Sequence, residues 1–60
     1  MSECIIAYRV NGGKVSTVLD KRGEETETFQ DLDAAVKFAL NCRLFQSGQA
    51  IYQIIELDEL

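Results

Sequence analysis

Residues 31–48 read DLDAAVKFALNCRLFQSG, and this stretch decides the fold class. Leu32, Ala35, Val36, Ala39, Leu40 and Arg43 recur at the i, i+3, i+4, i+7, i+8 spacing of one helical face. Asp31 suits the N-cap, where a short side-chain oxygen can accept a first-turn amide. Asp33 complements the positive end of the helix dipole. Ser47-Gly48 closes the pattern, with Gly48 expected as the left-handed C′ residue. One helix is therefore expected here, and strands and turns on either side of it.

Downstream, Gln49 to Leu57 is rich in Ile and Tyr and reads as the last strand. Tyr52 and Ile54 point one way, Ile51, Ile55 and Leu57 the other. Upstream, Cys4 to Val10 and Val15 to Leu19 read as a hairpin around Asn11-Gly12-Gly13. Asn-Gly is a strong type I′ signal, because that turn needs positive φ at both central positions. A two-residue loop pairs Tyr8 with Val15, Ile6 with Thr17 and Cys4 with Leu19. A four-residue loop keeps the same faces together, whereas a three-residue loop sets Val10 against Lys14 and flips one strand. The expected inner face is Cys4, Ile6, Tyr8, Val10, Val15 and Leu19. The other is mixed: Ile5, Ala7, Arg9, Lys14, Ser16 and Val18.

Asp20-Lys21-Arg22-Gly23 is turn chemistry. Glu24 to Phe29 fits either a polar edge strand, since edges are commonly kept charged, or a solvated loop. The expected fold is α+β: a three- to four-stranded, mainly antiparallel sheet with one helix on one face, in ββαβ order. Residues 1–60 are expected to form a single domain. A domain this short buries only about 60% of its unfolded surface, so burial and chain entropy nearly cancel. Disulfides, a metal, tight packing or a second copy of the chain can close that gap.

The chemistry that is missing narrows the function. There is no histidine, which removes the usual general base, the Ser-His and Cys-His nucleophile pairs and the commonest zinc ligand. Cys4 and Cys42 lie far apart in apolar stretches and read as reduced core residues. Gly12-Gly13 lacks the spacing of a phosphate loop and reads as a turn. Glu24, Glu25 and Glu27 look alike and solvated, whereas paired acid/base carboxylates need different environments. No enzyme activity, metal or cofactor is expected. Six basic residues are scattered through a chain of net charge −4, against direct nucleic-acid binding. With Met1-Ser2-Glu3 at its start no signal peptide is expected, and no apolar run is long enough to be expected to span a membrane. Asp58-Glu59-Leu60 lacks the residue an ER-retrieval signal needs before it. The expected location is the cytoplasm.

Two surfaces exceed what a lone domain of this size uses. With Phe38, Cys42 and Phe45 on a flank, the helix's apolar arc spans roughly 220°, about twice the usual stripe. The last strand is apolar on both sides, yet there is one helix to cover a sheet. Either Phe45 folds back onto the core, or Phe38, Phe45 and Tyr52 belong to an interface; a homodimer would supply both cover and stability. The other surface is acidic. Glu24, Glu25, Glu27, Asp31 and Asp33 come with no basic residue between them. They either keep an edge soluble or face a basic protein partner, such as the site of a nucleic-acid-binding protein.

The pattern Phe29-x-Asp31-x-x-x-Ala35-x-x-x-Ala39, followed by Phe45, Gly48 and Ile54-Ile55-Glu56, resembles small single-domain ββαβ proteins of bacteria and their phages. Some anti-CRISPR inhibitors are among them. The resemblance covers the half of the chain from Phe29 onward. It implies a protein-binding, inhibitory role and brings no catalytic residues. The functional expectation is thus a non-enzymatic, self-associating protein-interaction module. The alternative is a small ligand-binding or regulatory domain with its pocket between helix and sheet.

Overall fold

The computed structural model describes residues 3–59. Strand β1 (Cys4–Val10) is followed by a short β2 (Ser16–Thr17), helices α1 (Leu32–Asn41) and α2 (Arg43–Gln46), and β3 (Ala50–Glu56); a 3-10 turn covers Leu57–Glu59. The class is α+β, with one three-stranded antiparallel sheet in the order β2-β1-β3. β1 is central, with β2 on one side and β3 paired along its full length on the other, from Cys4 opposite Glu56 to Val10 opposite Ala50.

The hairpin register differs from the expected one. Ala7 faces Thr17 and Tyr8 faces Ser16, which is the three-residue-loop alignment. Gly12 has φ +79 and, among the described residues, no non-glycine residue has positive φ, so Asn11 does not adopt the type I′ conformation. The Gly13 amide donates to the Val10 carbonyl at 2.7 Å, closing the turn. The one-residue shift turns Val18 inward and leaves Val15 70% and Leu19 49% exposed. Val18 now lies opposite Ile6, on the core side, with backbone flanking it on both sides. Its amide donates to the Ile6 carbonyl at 3.0 Å, and its own carbonyl accepts the Glu27 amide at 2.8 Å.

Segment 24–29 forms two single bridges instead of a regular strand: Leu19 with Thr26, and Cys4 with Phe29. The chain runs back beside Val18 and then takes over the edge of β1 that β2 has left. Cys4 and Phe29 exchange both amide–carbonyl bonds, at 2.9 and 2.7 Å.

Asp31 caps α1 as expected, its Oδ1 accepting the Ala34 amide at 2.9 Å. Ala35 and Ala39 are fully buried. Each carries no more than a methyl group, and both join Cys4 and Ile6 in the buried cluster. The expected single helix is broken at Cys42, whose backbone is extended (φ −86, ψ 116). Side chains add to the backbone bonds around the break, where the Cys42 amide still donates to the Ala39 carbonyl at 3.2 Å. Asn41 Nδ2 donates to the Lys37 carbonyl, and Gln46 Nε2 donates to the Ala39 carbonyl at 3.0 Å. Gly48 then takes the left-handed conformation (φ +80) that leads into β3.

The break decides the packing. It turns Phe45 into the core, 7% exposed, stacked on Tyr52 (4.5 Å between centroids) and tilted against Tyr8 (5.6 Å). The buried core is Cys4, Ile6, Ala35, Ala39, Phe45 and Ala50, edged by Tyr8, Val18, Phe29 and Ile54.

Candidate interaction surface

Strand alternation assigns two faces to the sheet. Cys4, Ile6, Tyr8, Tyr52 and Ile54 share the core face. Ile5 opposite Ile55, Ala7 opposite Gln53 and Arg9 opposite Ile51 share the outer face, joined by Val15, Thr17 and Leu19. None of these outer-face residues belongs to the buried core. Ile51 is 66% exposed. β3 is doubly open, because it also ends the sheet and no described strand pairs with its outer edge. Two shallow grooves lie along it. One, of about 520 Å³, runs between Val10-Asn11 and Gly48 to Ile51. The other, of about 330 Å³, is floored by Ala7 and Gln53 between Val15 and Ile51. Arg9 is the one charged residue lining either groove.

The apolar residues singled out from the sequence separate. Phe38 stays on the outer flank of α1, 40% exposed, its ring 5.2 Å from that of Phe29. Phe45 is buried away from it, and Tyr52 covers Phe45 from β3 at 38% exposure. The helical wheel had grouped Phe38 with Phe45 on an unbroken helix.

The acidic residues separate too. Asp31 is spent on the helix cap, and exposed Asp33 pairs with Lys37 at 3.2 Å. Glu24 and Glu25 are exposed, while Glu27 is half-buried beside Val18. Their loop is organised by Asp20, a residue the sequence had marked only as turn chemistry. Its Oδ1 accepts the Arg22 and Glu24 amides at 3.1 and 3.2 Å. The amide bonds, that of Glu24 foremost, hold the Asp20 carboxyl below the usual aspartate range despite some desolvation.

Cys4 is the most enclosed chemical group. Burial first, then the nearby Glu56, Asp31 and Asp58 carboxylates, push its thiol up and disfavour the thiolate. Among the described residues, no group of three or more Cys, Asp or Glu could hold a metal ion, and no helix is long and apolar enough to cross a membrane. No protein family matches this chain, and neither does any curated protein or any solved structure.

Proposed function

We propose that this chain is a non-enzymatic protein-interaction module that self-associates through its sheet. The observation that carries the reading is the double exposure of β3. A seven-residue strand with Ile51, Ile54 and Ile55 is left open along one edge and one face. Strands with apolar residues on both sides are normally covered on both sides. The fold favoured is a ββαβ unit whose helical layer packs on the Ile6 face and whose outer face awaits a partner. A chain of 60 residues also gains stability that its own small core supplies sparingly.

The acidic surface supports a narrower, second reading. Glu24 and Glu25 stand exposed on a loop ordered by Asp20, positioned to meet a basic site on a protein partner. The inhibitory role implied by the resemblance to phage proteins would run through this loop. A ligand-binding domain has less support, since both grooves lie at the sheet's end and outer face instead of between helix and sheet.

Light scattering at tens of micromolar tests the main reading. The expected mass is twice that of the 6.7 kDa chain, with a melting temperature that falls on hundredfold dilution. A monomer whose melting temperature ignores dilution would remove it.

A further inference from the structure

We infer that two copies join by pairing β3 with β3 about a twofold axis at Gln53, making one continuous six-stranded sheet. This rests on the self-association proposed above, takes the open edge of β3 and not the outer face as its contact, and gives it a register.

The hydrogen-bond parity of β3 sets the terms. The Leu57 amide donates to the Glu3 carbonyl (2.9 Å) and the Asn11 amide to the Gln49 carbonyl (3.3 Å). Odd-numbered residues of β3 therefore spend their backbone groups on β1, because hydrogen-bonded pairs alternate in an antiparallel ladder. The same parity holds on the far side of β1, where even-numbered Cys4 and Ile6 bond to Phe29 and Val18. Ala50, Tyr52, Ile54 and Glu56 must then aim their N–H and C=O groups at the open edge.

An antiparallel copy can bond to that edge only if even residues meet even residues. Of the registers that satisfy this, the one centred on Gln53 uses the whole strand. Tyr52 pairs with Ile54 of the second copy and Ala50 with Glu56, each pair exchanging both bonds. On the outer face, Ile51 comes to lie beside the second copy's Ile55, and Gln53 meets itself.

The side chains fit a second copy of this chain. Along Ala50–Glu56 the single charge is Glu56, which this register sets against an alanine. Natural edges are commonly blunted by Lys, Pro or very short strands. β3 has none of these, whereas the opposite edge of the sheet is a two-residue strand followed by the acidic loop. That loop lies across the sheet from β3, so joining the β3 edges keeps the acidic segments apart.

Gln53→Cys, made with Cys42→Ala, tests the register. Residues opposed in a non-hydrogen-bonded pair have Cα atoms about 4.5 Å apart, within reach of a disulfide. Mild oxidation at tens of micromolar should convert most of this variant to a covalent dimer. Val15→Cys in the same background, on the same face but far from the axis, should remain largely uncoupled. Gln53→Lys should place two like charges on the axis and weaken association roughly tenfold or more, with an unchanged circular dichroism spectrum. If Gln53→Lys does not fold, the cysteine pair decides alone. A wild-type dimer in which Gln53→Cys couples no faster than Val15→Cys would overturn the edge geometry while leaving self-association standing. A monomeric wild type, or a polydisperse aggregate, would overturn the inference as well.

Discussion

Cys4 stands where three segments meet: its backbone bridges Phe29 on one side and lies opposite Glu56 on the other. Burial and surrounding carboxylates hold its sulfur as a protonated thiol. Cys42, at the helix break, is only half-buried. In the native protein at neutral pH, a thiol reagent should therefore modify Cys42 first and reach Cys4 only on unfolding. Peptide mass mapping of partly labelled protein checks the order; prompt labelling of Cys4 would contradict its enclosure. Asp20 gives a pH prediction. Its folded pKa lies below the unfolded value, so its stabilising effect is complete above the ordinary aspartate value of about 4. The effect is lost as pH falls through the lower, folded value. Asp20→Asn keeps an acceptor oxygen but no charge. Urea midpoints of this variant should fall less steeply than wild type between about pH 5 and pH 3.

At the scale of elements, segment 24–29 shows how one short stretch can serve two ends. Glu27 and Phe29 bond its backbone into the sheet, while Glu24 and Glu25 remain exposed. Replacing Glu24, Glu25 and Glu27 by Gln should leave the fold intact, because neutralising clustered like charges relieves repulsion. If the loop meets a basic partner, the change should slow association, and wild-type affinity should fall steeply with salt. Binding indifferent to both would discard the acidic-surface reading. What was legible here followed locality. The Asp31 cap, the Gly48 terminus and the spacing of Ala35 and Ala39 involve neighbours within one or two turns. The hairpin register was not legible, because it is held by backbone bonds from Val18 to Ile6 and from Glu27 to Val18, which no local turn rule contains. The break at Cys42 was hidden for a similar reason: Phe45 gains two aromatic neighbours from distant strands. Of the two readings of Phe45, folding back onto the core is the one seen, and it parts Phe45 from Phe38.

For the whole molecule, the open side of the sheet was readable in the two-sided apolar pattern of residues 51–57. That β3 would end the sheet was not, since strand order is a property of three segments at once. The order β2-β1-β3 also governs how the chain comes into being. β1 is central, yet β3, which flanks it along its whole length, is separated from it by about forty residues of sequence. At 5–20 residues per second, a ribosome needs about 2–8 s to make that stretch. Until Ala50–Glu56 has been made, β1 has no partner along its β3 side. A first hairpin formed alone would leave the backbone groups on one side of β1 without their sheet partners.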